Sequence, residues 1–349
     1  ITFIGPSAEN IELMGDKVRA RQIMSKAGLD PIPGSKGVVS NEKEAFKVIK
    51  KIGYPVIVKS AAGGGGIGIR EAHNDASLAS AFRLVQGEAK SAFGKSEVYI
   101  ERLMEKARHI EFQILADQHG NVVHLGEREC SVQRRNQKLV EESPCSALEP
   151  KVREEIGKSA VKAVKSLKYT NAGTVEFLMD AEGKFYFMEM NTRIQVEHTI
   201  TEEVTDLDLI KQQILIASGE KLEFRQSDID FYGHAIECRI NAENPEKDFM
   251  PSPGTIEAFH APGGPGIRLD SHIYTGYKVP PLYDSLIAKL IIHGEDRETA
   301  IARTKRALNE FILDGIHTTI PFHKKVMDDE RFLRGEVYVD FLSSFNMSD

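Results

Sequence analysis

The 349-residue sequence predicts an α+β protein, on three observations. An apolar extended run, "YPVIVKS" at 54–60, enters a glycine stretch and continues beyond it as a second extended segment, "IGIREAH", rather than as a helix. Two further extended runs flank the turn "DAEG" and pair as a hairpin within residues 173–198. Between such runs lie helical stripes, as in Val152, Ile156, Ala160, Val164 and Leu167, whose spacing marks a core-facing helix over 152–168.

Taken in order, the opening "ITFIGPSAEN" lacks a methionine and reads as the end of a strand running into a turn, so a fragment of a longer protein is expected. "GLDPIPGS" at 28–35 reads as a linker, because Pro31 and Pro33 favour extended backbone. Helix 41–53, the glycine hairpin, helix 76–92 and strand 97–103 follow. Strand 109–117 then leads into the turn "QHGN". A helix over 206–218 carries the capping pattern Thr205 with Asp208 and ends at Gly219. Strands at 233–241, 254–260 and 284–293 precede a closing helix, 296–312, and a mixed tail.

Composition excludes several classes. A net charge of -7 argues against a general nucleic-acid or membrane-surface binder, and no apolar run approaches the ~18 residues of a spanning helix. Cys130, Cys145 and Cys238 are few, scattered and odd in number, which suggests a reducing compartment rather than a disulfide framework or a zinc site.

Residues 63–68 formally satisfy G-x-G-x-x-G, yet they do not open a helix, and no Lys-Ser or Lys-Thr follows to make a Walker A loop. What remains is a flexible hairpin with Lys59 just before its tip. Gly63, Gly64, Gly65, Gly66 and Gly68 would let backbone N–H groups approach phosphate oxygens and let the flap move. A plain mobile loop is the commoner meaning of an isolated glycine run, and the second hairpin decides between them. Its register puts Glu176 and Glu189 on one face, opposite or diagonally adjacent, whether the loop has two residues or four. Like charges so placed repel, and a divalent cation resolves the conflict, with Asn191 adding a neutral oxygen. The polar alternation continues through Arg193, Gln195 and Glu197, which extends the row along the same strand. A solvated strand face is the plainer account, but Phe185, Phe187, Met188 and Met190 imply cover on both faces.

At these residues the chain resembles a known family. "MEMNTRIQVEH", "IGYPVIVKSAAGGGG", "RHIEFQILAD", "CSVQRRNQK", "HAIECRINAE", "PSPGTI" and "PPLYDSLIAKLI" together look like the biotin carboxylases of acetyl-CoA, propionyl-CoA and pyruvate carboxylases, which have the ATP-grasp fold. The likeness runs in order over essentially the whole chain. It implies a remnant of an N-terminal domain with its linker at 1–30, a lid domain at 31–103, and a main domain with the C-terminal portion at 104–349.

The implied chemistry is attack of bicarbonate on the γ-phosphate of ATP to give carboxyphosphate, whose CO2 is captured by the N1′ nitrogen of biotin. Lys17 and Lys59 would then hold ATP phosphates under the glycine lid, and Glu101 and Met104 would meet adenine. His109, Gln133 and Asn136 lie where ribose and phosphate contacts are expected, and Lys138 would help hold the carboxyphosphate end. Glu176 and Glu189, supported by Asn191, would bind Mg2+ or Mn2+. Arg193, Gln195 and the Val196 backbone would bind bicarbonate, Glu197 would be the general base, and Arg239 would stabilise the biotin enolate.

Taken singly, Lys17 and Lys138 would be solvent lysines, Arg239 an ion-pair partner on a strand, and His109 a satisfied edge histidine. Joint spacing lifts them above those roles. The family usually has a basic residue and a methionine where this chain has Ile67 and Ile69, and histidine at Asn136, so nucleotide affinity and lid closure are where differences are expected. The resemblance also implies a homodimer, partnership with a biotin carboxyl carrier domain and a carboxyltransferase, and a cytoplasmic or mitochondrial-matrix location. Composition, as above, leaves nucleic acid and membrane out of the expected partners. Two rival readings stand beside it: another ATP-grasp ligase of the carbamoyl-phosphate type, and a nucleotide-binding or dimerising fragment without turnover.

Overall fold

The computed structural model describes residues 1–61, 68–94 and 96–345. Gly63 to Gly66, on which the lid expectation rests, lie outside the described residues, as does Ile67. Two sheets organise the chain. The smaller has three antiparallel strands in the order Ile69–Ala72, Val56–Ser60, Val98–Arg102, and helices Glu42–Ile52 and Asp75–Phe93 flank it. Asn41 and Asn74 cap these helices through their side-chain oxygens. Gly68 closes the described part of the glycine hairpin at φ 70, its carbonyl accepting from the Ser60 N–H at 2.8 Å.

The larger sheet is antiparallel and eight-stranded. Its order is Ile267–Ser271, Leu286–Gly294, His234–Asn241, Gln137–Ser143, Val122–Arg134, Arg108–Ala116, Asn171–Met179, Phe185–Asn191. Helices Ala8–Gly15, Lys17–Lys26 and Pro150–Ser166 pack on one face against Ile110, Phe112, Val175 and Phe177. The anticipated stripe of the third helix is core: Ala160 and Val164 are fully buried there, and Val152, Ile156 and Leu167 pack beside them. Fully burying Val164 contributes roughly 1.5–3 kcal/mol, and the partly buried members of the stripe less. Helix Leu209–Ala217 closes one end of the opposite face through Leu209 and Ile216. The remainder of that face carries the polar residues described below. All three cysteines are buried and free, and no helix among the described residues is long and apolar enough to cross a membrane.

Several expectations need correction. The opening residues form no strand; Ser7 caps helix Ala8–Gly15, and a second helix, Lys17–Lys26, precedes the linker. The anticipated helix 206–218 is present as Leu209–Ala217, and an unanticipated helix, His198–Thr205, precedes it. Asp206 at φ 56 separates them, and Asp208 rather than Thr205 is the cap, accepting from the Lys211 N–H at 2.8 Å. The tail is helical in part, with Ile320–Asp328 and Glu330–Leu333.

On the strand Gln137–Ser143, Glu142 accepts from His234 at 2.9 Å and from both ends of the Arg297 guanidinium at 2.7 and 3.0 Å. Burial alone would raise this carboxyl, but these partners outweigh it and hold it at about 2 rather than 4.5. A depressed carboxyl stabilises the fold above its unfolded value and loses that contribution as pH falls through the folded one. Glu142→Gln is therefore expected to cost about 3 kcal/mol at pH 7 and much less at pH 3, as read by urea denaturation. An equal cost at both pH values would remove the ion cluster from the account.

Candidate active site

The polar face is built by register. Cross-strand partners run Glu189↔Glu176, Glu176↔Glu111 and Glu111↔Arg128, so three carboxylates and a guanidinium lie side by side across four strands. Glu189 reaches its place opposite Glu176 by two one-residue shifts. The turn after Met179 has three residues, with Asp180 pairing with Lys184 and Gly183 at φ 80. The strand then bulges at Met188, because the register changes from Phe177↔Phe187 to Glu176↔Glu189. The expectation of one shared face holds, by a different route from the two- or four-residue loop that suggested it.

Lys138 binds the row together. Its ammonium lies 2.5 Å from Glu111, 3.2 Å from Glu176 and 2.6 Å from Glu197. Burial opposes its charge, yet these carboxylates outweigh it and raise the lysine well above its ordinary value. Burial would likewise raise Glu197, which is only 2% exposed, but Lys138, Arg239 and Arg128 hold it well below the carboxylate range. Arg239 reaches Glu197 at 2.9 Å and Glu141 at 2.6 Å. Glu141 faces Glu237 across the next strand pair, and burial pushes both of these carboxyls up.

Most of the anticipated residues meet here. His109 stands in an interior strand, not at an edge, with its ring 3.1 Å from Glu176 and 2.7 Å from the Gln133 amide. Asn191 and Gln195 each donate to Glu176 at 2.7 Å. Lys17 pairs with Glu189 at 3.0 Å. The Val196 carbonyl accepts from Lys289 at 2.9 Å. Lys59 and Arg21 both pair with Glu101, which is buried, so that carboxylate is neutralised within the protein; Met104 is half-buried just beyond the same strand.

Two placements differ from expectation. The row is not one strand, because pairing stops at Asn191 and residues 192–197 turn into helix His198–Thr205. Gln195 and Glu197 still point into the cleft, while Arg193 is exposed, donating to Asn191 at 3.2 Å. Asn136 occupies the exposed two-residue turn between Val122–Arg134 and Gln137–Ser143, where Arg135 and Asn136 both have positive φ. Asparagine tolerates that conformation better than most residues, which gives it a structural reason to be there. Glu111, Arg128, Glu141, Glu237 and Lys289 were not anticipated; each sits in an alternating strand, and only the register brings them to the others.

A divalent cation carried with a nucleotide fits this donor set. His109, Glu111 and Glu176 each offer a ligand atom within 4.8 Å of the others, and Glu189 faces Glu176 across the hairpin. In such a site the ion screens phosphate charge and orients the transferring group.

Comparison with known proteins settles the family. The carbamoyl-phosphate synthase L chain ATP binding domain model matches residues 16–225, and the biotin carboxylase C-terminal domain model matches residues 237–344. A biotin carboxylase of Nostoc sp. is 56% identical over 346 residues, 99% of this chain and 77% of its own length. The chain belongs to the biotin carboxylase family. Another relative in that family, biotin carboxylase 1 of Bacillus subtilis, is 55% identical over 99% of the chain and 77% of its own length. Among solved structures, the biotin carboxylase domain dimer of Hydrogenobacter thermophilus 2-oxoglutarate carboxylase, in complex with MgADP, ADP and bicarbonate, superposes with a TM-score of 0.97. It is 50% identical and covers 98% of this chain and 76% of its own. Biotin carboxylase from Campylobacter jejuni gives 0.96 at 47% identity, covering 99% of this chain and 77% of its own. The fold is therefore the ATP-grasp fold of this family, α+β as the sequence indicated.

Proposed function

We propose that this chain carboxylates biotin on a carrier domain, using ATP and bicarbonate, as the first half-reaction of a biotin-dependent carboxylase. The observation that carries it is the Glu197 carboxylate shared between Lys138 and Arg239 beside the carboxylate row. A bicarbonate oxygen attacks the γ-phosphorus as the bond to ADP breaks, and the carboxyphosphate formed divides into CO2 and phosphate. The phosphate released takes the N1′ proton of biotin, and N1′ attacks CO2 to form the new N–C bond of carboxybiotin.

Glu197 takes the bicarbonate proton, Gln195, Arg193 and the Val196 backbone hold the anion, and Arg239 faces the biotin enolate. Lys17, Lys59 and the glycine stretch bind the ATP phosphates, Lys138 holds the carboxyphosphate end, Glu101 and Met104 meet adenine, and His109, Gln133 and Asn136 contact ribose and phosphate. Glu176, Glu189 and Asn191 hold the divalent ion. Held well below its ordinary range, Glu197 is a weak base until substrate oxygens draw Lys138 and Arg239 away. Anion entry thus switches the base on.

Residues 1–30 serve as an N-terminal segment with its linker, 31–103 as the lid, and 104–349 as the main domain with the C-terminal portion; the confinement of the small sheet to the middle part supports this. A homodimer, like that of the Hydrogenobacter relative, and a separate or fused carboxyltransferase complete the enzyme. Three buried free thiols suit a cytoplasmic or other reducing compartment.

The test is ADP release by the purified protein. It should require bicarbonate and rise with free biotin. Turnover indifferent to bicarbonate would overturn the proposal, dependence on ammonia would favour the carbamoyl-phosphate type, and MgATP binding without turnover would favour a scaffold.

A further inference from the structure

Arg128 is a fully buried charge to which the chemistry above assigns no task. Its place opposite Glu111 depends on a bulge. The register changes from Ile114↔His124 to Phe112↔Glu127, with Gly126 at φ 74; unbroken pairing would put Glu127 there instead. A Cβ on Gly126 would stand 2.3 Å from the Phe231 ring, so the bulge is held to glycine.

The guanidinium makes five contacts, as many as its N–H groups. Nε donates to Glu111 at 2.6 Å, Nη1 to Gln113 at 2.7 Å and Thr201 at 3.0 Å, and Nη2 to Thr174 at 3.3 Å and Gln195 at 2.9 Å. This fixes Gln195, which lies in a segment without ladder hydrogen bonds. With its oxygen held by Arg128, the amide must turn its N–H2 group toward Glu176, at 2.7 Å. A flipped amide would set N–H against N–H. Glu111 is divided in the same way, one oxygen on Arg128 and the other 2.5 Å from Lys138.

We propose that Arg128 is a positioning residue for bicarbonate: it presets the Gln195 amide and, through Glu111, the Lys138 ammonium. The inference rests on the bicarbonate reading given above. A lysine keeps the charge but lacks the planar fork, so it cannot hold Glu111 and Gln195 together.

The experiment is a double-mutant cycle on ADP release with Arg128→Lys, Gln195→Ala and both together. Arg128→Lys should raise KM for bicarbonate about tenfold with a smaller change in kcat, and leave KM for ATP within about twofold. In the Gln195→Ala background its effect on bicarbonate KM should be several times smaller, reduced to the part carried through Glu111 and Lys138. Independent, multiplying effects on KM, or a loss confined to kcat, would overturn the inference while leaving the functional reading intact. A parent enzyme without bicarbonate dependence would instead overturn the functional reading. If Arg128→Lys fails to fold, Thr174→Val with Thr201→Val removes two anchors without touching charge. That pair should raise bicarbonate KM severalfold, and an unchanged KM would again overturn the inference.

Discussion

Glu197→Gln is expected to abolish biotin-dependent ADP release, lowering it by at least about 10²–10⁴-fold, the usual contribution of a positioned base. The amide is nearly isosteric and cannot accept the proton. The substitution also removes the anion between Lys138 and Arg239, which lie 2.6 and 2.9 Å away and would be left facing each other with less compensation. MgATP binding should survive, because Lys17 and His109 pair with other carboxylates, Glu189 and Glu176. Equilibrium binding of a nucleotide analogue separates the two effects. Biotin-dependent release within tenfold of the parent would exclude Glu197 as the base.

Lys138→Met should have the largest effect on stability. It leaves Glu111, Glu176 and Glu197, all buried, without their common cation, and breaking such a pairing typically costs about 3–5 kcal/mol. Its pH dependence gives the sharper test. In the parent, Glu197 is held well below its ordinary value, so its stabilising contribution is present above the unfolded value and fades as pH falls. In the variant, burial is no longer outweighed by Lys138, the carboxyl rises, and stability should improve as pH falls toward 5. The stability gap by urea denaturation in EDTA should narrow from pH 8 to pH 5. A gap that stays constant would mean that the lysine acts through packing of its stem rather than its charge.

What could be read in advance follows from how each feature is encoded. Helices with apolar stripes and asparagine caps, such as Glu42–Ile52, are local patterns and were legible. The shared face of Glu176 and Glu189 was legible from alternation with an even loop, but the turn has three residues, and the outcome agrees only because the bulge at Met188, which no local pattern announces, restores the parity. Glu111 and Arg128 were not legible, since each looks like an ordinary polar residue in an alternating strand until pairing joins them. Helix His198–Thr205 was missed because the polar alternation just before it, Arg193 to Glu197, imitates a continuing strand. Helices Ala8–Gly15 and Lys17–Lys26 were missed because an apolar opening suggested a strand, although Ser7 and Asp16 carry ordinary cap signals. Lys138 was recognised by resemblance alone; its burial among three acids is a property of the assembled sheet.

The extra residue at Met188 makes the last hairpin behave like a vernier. One half-step is taken at the turn and a second at the bulge, and only their sum brings acid to acid. Losing Met188 alone would rotate Glu189 and Asn191 to the apolar side, beneath which helices Ala8–Gly15 and Lys17–Lys26 lie. Length changes in this segment are therefore admissible in twos and ruinous singly, whatever residues are gained or lost.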